Sequence, residues 1–382
     1  MKRILKIMLN KDDSRIKLLK GRAWLTIPQF ENHLLDELGI PHGEAPMEIT
    51  RLPKDAAVYG NIVYRENFPK DIFWIRLCME EPFMVEFSSI SEAADILRSV
   101  QRNWAFVPFN CFRRAELIEK KLPFISKKAR TFPYDVPSAE MGIWTLLNEN
   151  QIFASAKTSS PFPRGEIFFE EDKINPPSRA YLKMWEALTL LNFYLKKYQE
   201  KNSLAEKPET MAAAFSEKKN PLPADSSEKK NPLPTVSSEK KNTLPAADSI
   251  CLDAGACPGG WSWVMDSLGC KIIAIDRSPL RPDLMAKKNI EFIKHDAFTL
   301  KPEDIGKIDW LCSDVICYPP RLYDWIIKWI DSGLCEKFIC TIKMQGEPDN
   351  ETVKKFAAIP NSKIVHLTAN KHELTWLKAP FL

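Results

Sequence analysis

Between residues 249 and 382, short apolar runs alternate with amphipathic stretches, and this alternation constrains the fold more than any other feature of the chain. Ile250-Cys251-Leu252, Lys271-Ile272-Ile273-Ala274-Ile275, Ile308-Asp309-Trp310-Leu311-Cys312, Phe338-Ile339-Cys340-Thr341-Ile342 and Ile364-Val365-His366-Leu367 read as strands. Pro320–Ser332 and Asn350–Ala358 read as helices between them. Strands separated by helices cannot close into hairpins, so they line up in parallel with helices on both faces. An open α/β sheet of this kind binds its ligands beyond the carboxyl ends of its strands.

A repeat interrupts the chain upstream. Ser216-Glu217-Lys218-Lys219-Asn220-Pro221-Leu222-Pro223 recurs from Ser227, and again from Ser238 with Thr243 in place of proline, a period of eleven. Two prolines per unit forbid a helix there. One leucine per unit buries too little surface to offset the entropy of ordering. We therefore expect about 201–248, with eight Lys against seven Asp and Glu, to be a disordered insert.

The remainder of the 382 residues suits two domains. The first, 1–160, reads as a smaller α+β domain: Phe73-Trp74-Ile75-Arg76-Leu77 and Phe83-Met84-Val85-Glu86-Phe87 as strands, with helices near 90–102 and 113–122. The second, 161–382, contains the α/β region and the insert. Pro177-Ser178-Arg179 opens a helix through Lys183 and Leu188, with Ser178 as N-cap. Met1–Leu9 starts like a secretory leader, but Lys6 breaks the apolar run and no cleavage site follows, so a first strand is expected. No run approaches ~20 apolar residues, so no membrane span is expected.

Net charge is +4, too small to demand or exclude a polyanionic partner. Nine cysteines, an odd number without Cys-x-x-Cys, suit a reducing cytoplasm and buried apolar positions better than a disulfide framework. Five scattered histidines offer no metal spacing and read as surface residues; no metal is expected.

The strongest local signal is Leu252-Asp253-Ala254-Gly255-Ala256-Cys257-Pro258-Gly259-Gly260-Trp261, between a strand and a helix. Glycines there allow a sharp turn and a close backbone approach to a ligand. Asp253 could hold a cationic amine, Asp276 ends the second strand where ribose hydroxyls would bind, and Asp296 comes where the third strand ends. The pattern is neither a Gly-x-Gly-x-x-Gly loop nor a triphosphate loop. A glycine turn with two capping acids is the plainer alternative.

Asp-x-Gly-x-x-Pro-Gly-Gly-Trp resembles the adenosylmethionine loop of the FtsJ-type RNA ribose 2′-O-methyltransferases. More narrowly, 160–200 and 249–382 resemble the bacterial RlmM-type enzymes of that group, which modify 23S ribosomal RNA and carry an N-terminal RNA-binding region. The resemblance implies a Rossmann-like class I methyltransferase fold with a mostly parallel seven-stranded sheet, S-adenosyl-L-methionine as cofactor, and large-subunit rRNA as partner. It implies a cytoplasmic monomer, with no DNA and no membrane. Asp253, Gly255, Pro258, Gly259, Gly260, Trp261, Asp276 and Asp296 would bind the cofactor. The family's Lys-Asp-Lys-Glu tetrad would fall on Lys183, Asp314, Lys343 and Glu373.

The chemistry suits those residue types. Methyl transfer to a hydroxyl is chiefly an orientation problem, with one proton to remove. A lysine can accept that proton if burial or a second cation lowers its pKa. Lys183 would be that second cation for Lys343, with Asp314 and Glu373 holding both amines; Lys343 is then a base or a hydroxyl-steering group. Amino-group methylation fits less well, because Pro319-Pro320 lie five residues past Asp314 and suit a helix start. Cys317 is the nearest thiol for a cysteine-based route, with burial the plainer expectation. A non-catalytic RNA-binding or assembly factor on the same fold, or an enzyme acting on another RNA such as tRNA, are the alternatives.

Residues 249–382 carry 17 Lys and Arg against 17 Asp and Glu, so net charge there cannot hold a phosphate backbone. The local excess lies at Arg113, Arg114, Lys120, Lys121, Lys127, Lys128 and Arg130, against Glu116 and Glu119, interleaved with Phe112, Phe124 and Phe132. That combination suits phosphate contact and base stacking. A solvated helix face over core phenylalanines fits equally well.

Overall fold

A computed structural model describes residues 15–205 and 245–382. The strand expected over Met1–Leu9 and the repeats of the insert lie outside the described residues.

The first half opens with β1 (Ile16–Leu18), β2 (Arg22–Leu25), α1 (Glu31–Glu37), β3 (Ala56–Tyr59), β4 (Ile62–Arg65), β5 (Leu77–Glu80) and β6 (Phe83–Glu86). It continues with α2 (Ile90–Val100), β7 (Trp104–Phe106), α3 (Phe112–Glu119), β8 (Gly142–Asn148), β9 (Gln151–Ser155) and β10 (Lys157–Thr158). These strands form two five-stranded sheets, ordered β1-β6-β9-β8-β7 and β10-β5-β2-β4-β3. The Ser89 side chain caps α2 by accepting from Glu92 N, leaving Ala93, Ala94, Ile96, Leu97 and Val100 on one buried face. That face packs on Phe83, Val85, Trp144 and Ile152 from the first sheet.

The strand expected from Phe73 begins only at Leu77. Phe73 and Trp74 give their backbone N–H groups to Glu37 Oε2, both at 2.9 Å, and bury their rings in the other half of the molecule. Their hydrophobicity serves packing between halves, so the segment does not join a sheet ladder.

The second half consists of α4 (Tyr181–Ala205), β11 (Ile250–Ala254), α5 (Gly260–Ser267), β12 (Lys271–Asp276), α6 (Pro282–Met285) and β13 (Ile290–Lys294). There follow α7 (Pro302–Ile305), β14 (Trp310–Ser313), α8 (Pro319–Ser332), β15 (Lys337–Lys343), α9 (Asn350–Ala358), β16 (Ser362–Val365) and β17 (Glu373–Lys378). The sheet order is β13-β12-β11-β14-β15-β17-β16. The five strands from β13 across to β15 run parallel, whereas β17 is antiparallel to both β15 and β16. Helices α4 and α5 pack on one face and α8 and α9 on the other.

Two boundaries differ from expectation. Helix α4 starts at Tyr181, so Ser178 lies too far upstream to cap it, and it runs to Ala205, five residues into the stretch read as disordered insert. Its apolar residues through Leu191 are buried, and that packing carries the helix past the end of its hydrophobic pattern. First-half residues Ile27, Phe73 and Trp74 also join the α8 side of the seven-stranded sheet, and Phe162, Ile167 and Phe169, from the segment before α4, join the α4 side. No helix among the described residues is long and apolar enough to cross a membrane.

Candidate active site

Each member of the expected Lys-Asp-Lys-Glu set stands at or near an element's end. Lys183 is in the first turn of α4, Asp314 follows β14, Lys343 ends β15 and Glu373 begins β17. The register pairs Lys343 directly with Glu373 across antiparallel strands. Lys183 Nζ lies 2.6 and 2.7 Å from the two oxygens of Asp314 and 3.1 Å from Glu373 Oε1. Lys343 Nζ lies 2.9 Å from Asp314 Oδ1 and 3.2 Å from Glu373 Oε2. Four residues distant in sequence thus close an alternating ring of two amines and two carboxylates. Lys183 and Glu373 are each 7% exposed.

The electrostatics reverse one expectation. Burial pulls the pKa of Lys343 down, but Asp314 and then Glu373 outweigh it, and the net shift is upward. Two carboxylates, rather than one neighbouring cation, set its charge, so the amine stays protonated at neutral pH. Burial alone would raise the pKa of Asp314, but Lys183 and then Lys343 overcome it and hold the carboxyl below its usual range.

Beside the ring, Gly255, Asp276, Asp296, Phe298, Val315 and Arg321 line a pocket at the carboxyl ends of β11 to β14. Gly255 adopts φ +74°, and a Cβ there would come within 2.3 Å of Val315 Cγ2, so only glycine lets the turn lie against the Asp314 loop. Asp276 accepts from Cys257 N at 3.0 Å and Ser278 N at 2.9 Å, which ties the end of β12 to the glycine turn. Asp296 pairs with Arg277 and Arg321 and accepts from Phe298 N. Burial raises its pKa, but Arg277 first among its partners brings the net shift below the ordinary value.

Other expected cofactor residues lie elsewhere. Asp253 is 2% exposed and accepts from Ser262 Oγ at 2.6 Å; burial pushes its pKa up to about 7. It supports the turn from beneath and does not line the pocket. Trp261 is buried and donates from Nε1 to Ala180 O at 2.9 Å. A Cβ on Gly260 would fall 2.5 Å from Ser178 Oγ, and one on Gly259 2.3 Å from Leu284 Cδ1. These two glycines serve the approach of α5 to the start of α4 and to α6, and so help to place Lys183. Pro258 O accepts from Arg281 N.

Sequence reasoning missed Arg277, Phe298 and Arg321. The Arg321 guanidinium sits 4.5 Å over the Phe298 ring while pairing with Asp296. Nothing in the local pattern marks them, because they meet only through the parallel sheet. Cys317 is buried and its thiol pushed up to about 11, chiefly by desolvation, which disfavours a thiolate nucleophile. The nine cysteines are free.

The basic stretch divides. Arg113, Lys120 and Lys121 lie on or just after α3, and Arg114 turns its guanidinium over the Phe87 ring at 5.5 Å. Lys127, Lys128 and Arg130 lie together on a separate groove. Phe112 and Phe124 are exposed, whereas Phe132 stacks on Trp185 at 4.9 Å. Three of the five histidines depart from the expectation of surface residues: His33, His366 and His372 gather with Phe30 and Trp74 between the two halves, whereas His295 is exposed.

Residues 237–372 match the model of the FtsJ-like methyltransferase family. Over that span the chain carries an FtsJ-like methyltransferase domain. The match takes in Asp314 and Lys343 and stops short of Lys183 and Glu373. A curated relative in Thauera aminoaromatica, named Ribosomal RNA large subunit methyltransferase M, is 31% identical over 134 residues, covering 32% of this chain and 36% of that protein. A protein of the same name in Azoarcus sp. (strain BH72) is 35% identical over 104 residues, covering 27% of this chain and 28% of its own. The chain thus aligns with about a third of the length of these relatives. Lys183 and Glu373, from either side of residues 237–372, meet Asp314 and Lys343 at the same edge of the sheet as the pocket.

Proposed function

We propose that the chain is an adenosylmethionine-dependent methyltransferase acting on a ribose 2′-hydroxyl of RNA, with large-subunit rRNA as substrate. The ring of Lys183, Asp314, Lys343 and Glu373 beside the Gly255 pocket carries this reading. The pocket's residues fit the cofactor. Gly255 keeps the floor thin, and each Asp276 oxygen accepts one backbone N–H, leaving capacity for ribose hydroxyls. Adenosylmethionine, when bound, supplies a methyl group on a sulfonium, with a neutral thioether as leaving group.

The protein's own task is to place the hydroxyl and take its proton. Lys343, kept charged by two carboxylates, is suited to donate to the ribose oxygen and fix its direction. Lys183, bonded to both acids, offsets their mutual repulsion and keeps them in register. As the new C–O bond forms and the old S–C bond breaks, the ribose oxygen sheds its proton readily, and a carboxylate of the ring or water suffices to accept it. A free amine base is not required.

Incubation with labelled adenosylmethionine and unmodified rRNA, followed by mapping of 2′-O-methyl sites, tests the reading. Label should appear on a ribose hydroxyl, Lys343→Ala should abolish transfer while leaving cofactor affinity intact, and the rate should show no lysine titration between about pH 6 and 9. Label on a base nitrogen, or near-normal turnover in Lys343→Ala, would sink it.

A further inference from the structure

Away from the ring, one concave surface joins segments distant in sequence. It is a groove of about 240 Å³ with Phe124, Lys127, Lys128 and Arg130 on one wall and Arg164 and Phe168 on the other. Arg130 N donates to Phe168 O at 2.8 Å, and Glu170 N donates back to Arg130 O at 2.9 Å, which fixes the two walls together. Phe124 is 86% exposed and Phe168 56%. Two large aromatic rings left in water at the rim of one groove call for an occupant. Arg164 holds φ +56°, a left-handed conformation that a non-glycine residue adopts at a cost.

The charge has one sign. Four cations line the groove against a single acid, Glu166, whose carboxylate lies 3.6 Å from Arg76 Nε. Lys127 is 3.4 Å from Glu119 at the protein surface, and such a pair exchanges readily for a phosphate. Cations flanking open ring faces match a chain of phosphates with unstacked bases. A duplex hides its bases from such rings, and an acidic peptide would satisfy the charges while leaving both phenylalanines uncovered.

The groove is also tied to the ring. Ile167 N, beside Phe168, donates to Thr368 Oγ1 at 3.1 Å, and Thr368 N donates to Glu186 Oε2 at 2.8 Å on α4, one turn beyond Lys183. We propose that this groove holds a single-stranded part of the same RNA whose ribose enters the Lys-Asp-Lys-Glu ring, with Phe124 and Phe168 stacking on bases and Lys127, Lys128 and Arg164 meeting phosphates. This rests on the RNA reading given above.

Fluorescence anisotropy on the full chain tests it, using a single-stranded oligoribonucleotide and a duplex of equal length over a range of salt. The double variant Phe124→Ala/Phe168→Ala should lose about 10-fold or more in single-strand affinity, with its salt slope unchanged and duplex binding unaffected. Lys127→Glu/Lys128→Glu should weaken binding and flatten the salt slope by about two ions. A thermal melt checks that each variant is folded. Unchanged single-strand affinity in the phenylalanine variant, equal loss for duplex, or polyglutamate competing as well as RNA would overturn the assignment. Methyl transfer by the unsubstituted protein, run in parallel, separates the two ideas. Ribose methylation with normal binding by the phenylalanine variant defeats the groove alone; a stacking-dependent loss without any methylation defeats the enzyme reading alone.

Discussion

At the scale of single residues, side-chain chemistry here is set by what surrounds each charge. Lys343 and Glu186 show the contrast. The lysine keeps its proton because two carboxylates face it, whereas Glu186, fully buried on α4, has its pKa pushed up to about 8, chiefly by desolvation, against the pull of Thr368 N and Oγ1. An acid whose folded pKa lies above its unfolded 4.5 favours folding while protonated. Its contribution is complete below about pH 4.5 and is lost as pH rises through about 8. Glu186→Gln can still accept from Thr368 N through its amide oxygen, with the amide nitrogen now donating to Thr368 Oγ1, and it cannot ionise. Urea denaturation should find the variant gaining on the parent protein between about pH 5 and 8.5, by at most ~5 kcal/mol. Parallel pH dependence in the two proteins would show Glu186 to be ordinary.

Elements are joined where the backbone itself comes close. The turn from β11 to α5 carries three glycines whose missing side chains admit Val315, Leu284 and Ser178. Gly333, at the end of α8, also has positive φ, but a methyl group there would meet nothing within 4 Å. Gly333→Ala therefore meets only backbone strain, about 1 kcal/mol. Gly259→Ala, with φ +113° and Leu284 Cδ1 in the way, should cost about 2–4 kcal/mol by adding overpacking to strain. Comparing the two by chemical denaturation checks the argument; equal costs would mean that α6 simply moves aside. Gly260→Ala should act differently again, lowering methyl transfer more than stability, because Ser178 precedes the helix that presents Lys183.

For the whole molecule, the two halves share one packed interior. Trp74, fully buried, lies 4.7 Å from the His33 ring and 5.4 Å from the His372 ring, and His372 precedes Glu373. Trp74→Ala should cost ~3–5 kcal/mol in a melt and reduce methyl transfer, although Trp74 stands outside the ring of charges. A stable variant with unaltered turnover would show that the halves act independently. Much of this architecture was legible in the chain. The β–α alternation gave the parallel strands, helix α9 spans the expected Asn350–Ala358, and the four charged residues of the ring were identified through the family resemblance. Other features were hidden. The first residues of the strand expected from Phe73 were lost to burial against the other half, and three histidines taken for surface residues, His33, His366 and His372, pack on Trp74. The roles of Gly259 and Gly260, the Arg321–Asp296 pair and the groove between Phe124 and Phe168 all depend on residues far apart in the chain. Periodicity and turn chemistry are local, so they reached most of the elements of the α/β region and the charged residues at their ends. Proximity is not local: which charge faces which, and therefore which amine keeps its proton, was decided only when the sheet brought β14, β15, β17 and α4 to one edge.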